Sequence, residues 1–249
     1  MKGIKKTLFT LNIDNYAPEI TAITYPILKY YANKIGADFH IIKERKFPDW
    51  PVTYEKLQIY ELAQQMGNDW NIYIDSDAVI HPETMDWTLF LQKDTIAHNG
   101  RDFANIRWRY NNYFRRDGRH WGSCNWFTIA SDWCVDIWHP LEVSFAEAVE
   151  NIFPTRLERN AVTTRDHLID DYALSCNVAR FGLKAKTLGE IQKDLGFADS
   201  AFHYHLYNIT EEEKLNGYID QTTNNRVDGL IELVNNTWKI PEYVKNYGK

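Results

Sequence analysis

Cysteine is scarce in this sequence, with three residues among 249. They are Cys124, Cys134 and Cys176, and their spacing matches neither a CxxC pair nor a regular disulfide framework. Structural disulfides belong to oxidising compartments, so a few unpatterned cysteines favour reduced thiols. We therefore expect a cytoplasmic protein without disulfides.

Long hydrophobic runs and an excess of positive charge are also missing. No apolar stretch approaches the roughly 20 residues that a transmembrane helix needs. The N-terminal segment begins with basic residues, but its apolar run is too short for the core of a signal peptide and ends at Asp14. The formal net charge is −6. We therefore expect neither a membrane span nor a general nucleic-acid or membrane-surface binder.

The sequence does contain enough apolar material for a sizeable core. Hydrophobic residues make up 44% of its 249 positions and charged residues 25%, which is typical of one large globular domain. Aromatic residues reach 14%, including nine tryptophans. Aromatic faces stack on sugar rings but also fill cores, and composition alone favours the core.

The first 42 residues predict a strand, a helix and a second strand. Lys6 to Asp14 is rich in β-compatible residues, and Phe39, Ile41 and Ile42 give the next strand. Between them, isoleucines recur at helical spacing from Pro18, and Gly36 is a suitable C-terminal stop. Pro26 predicts a kink or a break in this helix. A βαβ unit of this kind predicts a parallel sheet.

The pattern repeats once more and then loosens. A second helix is predicted from Tyr54 to Met66, followed by a strand from Trp70 to Ile74. The later predicted elements are short strands at Thr95–Ala97 and Trp126–Ala130, a helix at Asp170–Phe181 closed by Gly182, a strand at Ala201–Leu206, and helices beyond Thr210. No repeat or linker requires a second domain.

Two carboxylates follow the third predicted strand as Asp75-Ser76-Asp77. Ligands of open α/β sheets bind at the carboxyl ends of strands, where Asp14 should lie as well. Carboxylate oxygens are the ligands that Mg²⁺ and Mn²⁺ prefer, with phosphate oxygens and water completing the shell. Such a cation would neutralise charge on a leaving diphosphate. The alternative is a solvated turn that carries two surface aspartates.

The segments TLFTLNIDNYAPEI and YEKLQIYELAQQMGNDWNIYIDSDAVIHPE resemble the nucleotide-sugar half of GT-A glycosyltransferases with a DxD motif. The sequence is most similar to the retaining galactosyl- and glucosyltransferases, over residues 6–85 and more thinly over 86–206. The resemblance implies a metal-dependent hexosyltransferase of carbohydrate biosynthesis. It also implies one GT-A, Rossmann-like domain over 1–249: a nucleotide-sugar half (1–85), an acceptor half (86–206) and a helical tail (207–249).

The resemblance assigns roles to individual residues. The side chains expected to border the base and ribose are Thr10, Leu11, Asn12 and Tyr16. Lys56 would approach the nucleotide or its phosphates, although a solvated helix lysine is the plainer alternative. Asp75 and Asp77 would hold Mn²⁺ or Mg²⁺, with Asp77 the more direct ligand and Ser76 between them in the donor site.

Five later residues complete the expected site. Similar enzymes often take a third metal ligand from a C-terminal histidine, and alternation in a strand puts His203 and His205 on one face. The lysine-rich loop that follows in the family is absent here. Asp170 and Asp171 resemble an acidic pair that begins a helix beside the donor sugar; Asp170 could cap the helix while Asp171 contacts sugar hydroxyls or the acceptor. Asn125 is a weaker candidate for a sugar hydrogen bond.

Five arginines lie between Arg107 and Arg119, in an aromatic segment that extends to Trp121. Its length and polarity fit an acceptor loop, and arginine binds phosphate or carboxylate in a bidentate manner. A solvated loop that pairs with acidic residues explains it equally well. The acceptor is expected to be a glycan or another hydroxyl compound, and the sequence determines neither it nor the donor sugar.

Two other functions fit parts of the sequence. Asp75 and Asp77 also match the DxDx[TV] motif of haloacid-dehalogenase-type phosphohydrolases, in which the first aspartate is a nucleophile and the second a general acid. That motif usually follows the first strand, whereas a full βαβ unit precedes it here. A non-catalytic nucleotide-sugar or glycan-binding module is the other alternative. If a transferase inverts rather than retains configuration, Asp171 is the candidate base.

Overall fold

The computed structural model describes residues 3–99, 126–152, 168–196, 206–208 and 223–249. Within these ranges the chain forms a mixed α/β fold with a six-stranded central sheet flanked by helices. The sheet contains β1 (Lys6–Leu11), β2 (Ala37–Ile42), β3 (Trp70–Ile74), β5 (Thr95–His98), β6 (Phe127–Ser131) and β7 (Lys184–Thr187). Two further strands, β4 (Ala78–Ile80) and β8 (Leu206–Asn208), form a separate antiparallel pair.

The strand order of the central sheet is β2-β1-β3-β6-β5-β7. The pairs β1–β2, β1–β3 and β5–β7 are parallel, whereas β6 runs antiparallel to both β3 and β5. Five strands therefore share one direction, as the predicted βαβ pattern requires, and β6 is the exception.

Seven α-helices lie within the described ranges. They are α1 (Pro18–Lys34), α2 (Ile59–Met66), α3 (Phe145–Glu150), α4 (Ile169–Phe181), α5 (Leu188–Asp194), α6 (Thr223–Glu232) and α7 (Glu242–Lys245). The second predicted helix divides into a 3-10 segment, Val52–Gln58, and α2. Gly67 and Gly182 end α2 and α4 with φ near 60°, the left-handed conformation that glycine adopts without a steric cost.

A kink or a break was predicted at Pro26; the helix α1 continues through it, so the break does not occur. A proline inside a helix removes a hydrogen bond and costs roughly 3 kcal/mol. Burial outweighs this cost, because Ile27, Leu28 and Tyr31 are completely buried on both sides of the helix. Leu28 and Tyr31 pack against the central sheet, while Ile27 joins the core formed with the C-terminal segment.

Alternation along the strands divides the core between the two faces of the sheet. Leu8 and Ile72 point to the face covered by α1. Phe9 and Tyr73 point to the opposite face, which α2 and α4 cover through Ile59 and Leu174 among others. The described part of the chain contains no helix that is long and apolar enough to cross a membrane.

Candidate functional site

The carboxyl ends of β1 and β3 are adjacent, because these two strands pair in parallel. The backbone N–H of Asn12 donates to the carbonyl of Ile42 at 2.8 Å, and that of Asp75 donates to the carbonyl of Trp126 at 2.9 Å. These bonds fix the chain where it leaves each strand. The edge is therefore a rigid base for the side chains that follow, as binding sites in α/β sheets require.

The DxD segment is a tight turn between β3 and β4. The Ala78 N–H donates to the Asp75 carbonyl at 3.1 Å, and Thr24 of α1 donates its hydroxyl to the Ser76 carbonyl at 2.6 Å. Ser76 is buried, whereas Asp77 is half-buried and the Asp75 side chain is 30% exposed. The turn is thus anchored from below, and its two carboxylates keep access to solvent.

Lys56 is buried beneath this turn, with 2% of its surface exposed. Its Nζ lies 2.6 Å from Asp170 Oδ2, 3.7 Å from Asp75 Oδ1 and 4.7 Å from the centre of the Tyr73 ring. Burial by itself lowers the pKa of an ammonium group, but the Asp170 and Asp75 carboxylates more than offset it and raise the pKa of Lys56. The lysine is therefore a permanent buried cation.

Tyr73 contacts the same oxygen of Asp75 as Lys56 does, since its hydroxyl donates to Asp75 Oδ1. Burial, followed by the charge of Asp75, raises the pKa of Tyr73 well above its ordinary value. The phenol therefore stays protonated and remains a hydrogen-bond donor. Tyr73 and Lys56 together fix the orientation of the first DxD carboxylate.

Asp170 and Asp171 lie in the first turn of α4 and are both buried. Leu168 occupies the N-cap position without a side-chain cap, so Asp170 is not the N-cap that one interpretation of the sequence made it. Its carboxylate instead binds Lys56, 114 residues earlier in the chain. Asp171 adds a further negative charge close to Lys56. The acidic pair thus joins the DxD turn through the lysine.

The residues expected to border a nucleoside lie at the end of β1. Thr10 and Leu11 are buried, Asn12 is half-buried, and Tyr16 is 45% exposed. Thr10 Oγ1 and Asn12 Oδ1 are buried polar atoms without a hydrogen-bond partner in the described part of the protein. Buried polar atoms usually find partners, so these two mark a place where a polar ligand would be stabilised.

Backbone strain accompanies these polar atoms. Asp14, Asn15 and Ala17 have φ values of 54°, 54° and 41°, between β1 and α1. Aspartate and asparagine tolerate this left-handed region, but alanine does so at a cost of about 1–2 kcal/mol. Strain of this kind persists where the surrounding structure enforces it, often at binding sites.

Asp77 faces the helix α1 and the end of β1. Its charge contributes, after burial, to raising the pKa of Tyr25, and the Tyr25 hydroxyl donates to the Leu11 carbonyl at 3.0 Å. Tyr25 therefore lies between the DxD turn and the proposed nucleoside residues. Neither Tyr25 nor Tyr73 was identified from the sequence, although strand alternation would have put Tyr73 on the face of Asp75.

The donor set of a metal site is incomplete in the described ranges, which contain no group of three or more histidine, cysteine, aspartate or glutamate side chains suited to an ion. The chemistry of the described side chains nevertheless fits a cation. The carboxyl groups of Asp75, Asp170 and Asp171 lie close to Lys56, and that of Asp77 lies close to Tyr73. The two carboxylates of the DxD turn are hard oxygen ligands.

The remaining predicted residues, His203, His205, Asn125 and the segment 107–121, lie outside the described residues. The register of β8 bears on the histidines nonetheless. Leu206 pairs with Ile80, the residue of β4 farthest from Asp77, whereas Asn208 pairs with Ala78, which adjoins Asp77. The end of β8 nearest to the DxD turn is therefore its carboxyl end.

Comparisons with known proteins give a limited result. No family model and no curated protein matches the sequence. Among 83 matching chains of solved structures is a glycosyltransferase involved in the glycosylation of the major capsid of PBCV-1. The match has 11% sequence identity and a TM-score of 0.46, and it covers 90% of this chain and 98% of that chain. Similarity at this level assigns no activity to this protein.

Proposed function

We propose that this chain is a metal-dependent glycosyltransferase that transfers a hexose from a UDP-sugar to a hydroxyl acceptor. The observation that carries the proposal is the cluster of Lys56, Tyr73, Asp75 and Asp170 at the carboxyl edge of the sheet. It joins the DxD turn to the acidic start of α4. The resemblance of the sequence to GT-A enzymes supports the same assignment.

The hard carboxylate oxygens of the DxD turn support a divalent cation there. Asp75 and Asp77 would hold Mn²⁺ or Mg²⁺, and the bound cation would neutralise charge on the leaving diphosphate. Lys56 does not supply this neutralisation freely, because its ammonium is already engaged by Asp170 and Asp75. Its role is to compensate the buried carboxylates and to hold Asp75 in place, together with Tyr73.

Two polar atoms at the end of β1 are suited to bind the nucleoside of the donor. Asn12 Oδ1 is a hydrogen-bond acceptor and Thr10 Oγ1 can donate or accept, and both lack partners in the described ranges. Uracil offers a ring N–H donor and two carbonyl acceptors. The strained turn at Asp14 to Ala17 would close over the ribose side, next to the half-exposed ring of Tyr16.

The reaction that fits these groups is substitution at the anomeric carbon. The acceptor oxygen forms a bond to that carbon, the bond to the diphosphate oxygen breaks, and UDP leaves with the electron pair. With retention, which the resemblance favours, attack occurs on the face of the departing diphosphate, whose oxygen can take the acceptor proton. With inversion, Asp171 would take it.

The experiment that tests the proposal measures UDP release from a panel of UDP-sugars, with and without Mn²⁺, beside a generic phosphatase substrate. Metal-dependent release from one or two UDP-sugars would support a transferase and identify its donor, because water replaces the acceptor slowly. Turnover of the phosphatase substrate alone would establish a phosphohydrolase instead. UDP binding without any turnover, even across an acceptor screen, would leave a binding module.

A further inference from the structure

The DxD motif forms a β-turn between β3 and β4. Its four residues run from Asp75 to Ala78, and Ser76 and Asp77 are the two central ones. The central peptide, which joins these two residues, points in nearly opposite directions in turns of type I and type II, and type II needs a positive φ at the second central residue. Asp77 is not among the non-glycine residues of the described ranges that have a positive φ. The turn is therefore not of type II.

The local sequence does not fix this orientation of the central peptide. Aspartate is one of the few residues that tolerate a positive φ, so Asp77 would accept a flipped peptide at a small cost. The allowed side-chain rotamers depend on the backbone dihedral angles, so a flip would also redirect the carboxylate. Ligands of a metal ion are usually held in one orientation by their neighbours. We therefore expect a contact from outside the turn to select one orientation.

Thr24 of α1 makes such a contact. Its hydroxyl donates to the Ser76 carbonyl, which is the oxygen of the central peptide, at 2.6 Å. A threonine hydroxyl in a helix can bond to a carbonyl one turn earlier, as Thr21 does with Pro18 at 3.3 Å. Thr24 instead donates to a residue 52 positions away in the sequence, and it is completely buried. The contact is therefore a tertiary one that holds the central peptide in place.

The next residue of α1 holds the other side of the candidate site. The Tyr25 hydroxyl donates to the Leu11 carbonyl, at the end of β1, at 3.0 Å. The helix that carries both side chains is itself fixed, because Leu28 and Tyr31 are completely buried against the sheet. Two consecutive residues of one packed helix thus hold the DxD turn and the end of β1.

We propose that Thr24 is a positioning residue of the donor site, which fixes the central peptide of the DxD turn and thereby the direction of the Asp77 carboxylate. This inference rests on the proposed function, because it takes Asp77 as a ligand of the cation. Thr24 is buried and acts through the Ser76 carbonyl, so it differs from a residue that contacts the donor. Its loss should therefore weaken binding of the metal, beyond any effect on the stability of the fold.

Thr24→Val is the informative variant, because it keeps the shape of the side chain and removes only the hydroxyl. The measurement is the apparent Mn²⁺ affinity, obtained by calorimetry from UDP binding at a series of Mn²⁺ concentrations. We expect this affinity to fall by roughly 10-fold, the lower end of the effect of losing a neighbour that orients a metal ligand. Thr24→Ser keeps the hydroxyl and should retain the wild-type Mn²⁺ affinity.

Thr21→Val is the matched control in the same helix. Thr21 is buried like Thr24, but its hydroxyl donates within the helix, to the Pro18 carbonyl. We expect Thr21→Val to leave the apparent Mn²⁺ affinity unchanged. The melting temperatures of both valine variants are measured as well, so that an effect on helix stability is separated from an effect on the metal.

The outcomes separate this inference from the proposed function. Wild-type Mn²⁺ affinity in folded Thr24→Val, or an equal loss in Thr21→Val, would overturn the positioning role alone. So would a loss in Thr24→Ser as large as that in Thr24→Val, because the serine variant keeps the hydroxyl. A wild-type protein whose UDP binding does not depend on Mn²⁺ would overturn the proposed function and this inference with it. If Thr24→Val fails to fold, the Mn²⁺ affinity is measured in Thr24→Ala, where a wild-type value would again reject the role.

Discussion

Two buried lysines, Lys6 of β1 and Lys56 of the 3-10 segment before α2, show how a structural ion pair differs from the cluster proposed as functional. Lys6 binds one carboxylate, Asp86, and the Ile35 carbonyl. The other oxygen of Asp86 accepts from the N–H and the hydroxyl of Thr88. That pair is balanced in charge and rich in hydrogen bonds. In the described part of the chain, the ammonium of Lys56 lies close to three carboxyl groups, those of Asp170, Asp75 and Asp171. Stability alone favours the first arrangement, whereas binding of a cation favours the second.

The largest expected effect comes from removing each lysine. Lys56→Met leaves buried carboxylates without their counter-ion, which typically costs about 3–5 kcal/mol of unfolding free energy, and UDP release should be lost. Lys6→Met should also destabilise the fold, while the protein that remains folded keeps its UDP release. Urea unfolding and UDP-release assays on both variants check this difference. If folded Lys56→Met released UDP at the wild-type rate, Lys56 would not be part of the functional site.

Asp77→Ala tests the comparison by removing a carboxylate of the DxD turn. This carboxylate is half-buried, and the change removes no core volume. We expect Mn²⁺-dependent UDP affinity to fall by about 100-fold, with an unchanged melting temperature. Asp94→Ala, which removes the partner of the exposed residue Lys184, is the control and should affect neither quantity. Unchanged metal dependence in Asp77→Ala would contradict the DxD assignment.

His98 provides a prediction about pH. Its pKa is lowered to about 3 in the folded protein, against about 6.5 when unfolded, so the unfolded state binds a proton first. Stability is therefore full above pH 6.5 and is lost progressively as the pH falls towards 3. Between pH 7 and 5 the loss is roughly 2 kcal/mol. His98→Gln should flatten this part of the curve of unfolding free energy against pH; an equally steep curve would show that other groups cause it.

Tyr73→Phe tests the orientation of Asp75 with a smaller change. The variant keeps the buried ring beneath Lys56 and removes only the hydroxyl that donates to Asp75. Loss of one hydrogen bond to a charged group should weaken Mn²⁺-dependent UDP binding by roughly 10-fold. The apparent Mn²⁺ affinity in a UDP-release titration measures the effect. Tyr31→Phe is the matched control. It removes the hydrogen bond that Tyr31 of α1 donates to the Met85 carbonyl.

The smallest effect is expected in the strained turn after β1. Ala17 has a φ of 41°, and glycine adopts that conformation without a steric penalty. Ala17→Gly should therefore stabilise the fold by up to about 1 kcal/mol, the strain relieved less the extra entropy of the unfolded chain. Thermal unfolding measures the gain. A loss of stability would mean that the turn carries no strain at this position.

Local pattern predicted the elements of this fold better than their arrangement. Hydrophobic spacing and glycine stops were enough for α4 and its end at Gly182. They carried no information on the direction of β6, because a strand pattern is the same in both directions. Likewise the break at Pro26 was wrong, since packing on both sides of α1 was invisible to a local rule.

In the candidate site too, local sequence patterns identified some residues, whereas only the fold shows the contacts of others. Only Ser76 separates Asp75 from Asp77 in the sequence, so a motif reveals them. The contact between Lys56 and Asp170 spans 114 residues, and only folding brings the two side chains together. Tyr73 is intermediate, because strand alternation relates it to Asp75 but nothing local marks its hydroxyl as a donor. The roles predicted for His203, His205 and Asn125 stay predictions, because these residues lie outside the described ranges.

The 114 residues between Lys56 and Asp170 also affect how the protein folds during its synthesis. A ribosome that adds 5–20 residues per second needs roughly 6–23 s between Lys56 and Asp170. During that interval the nascent chain can form its first βαβ unit but lacks the carboxylate that lies closest to the buried ammonium. Burial of Lys56 must then wait for α4. The candidate site is thus among the last parts to be completed, and a ribosome stalled before residue 170 carries no finished site.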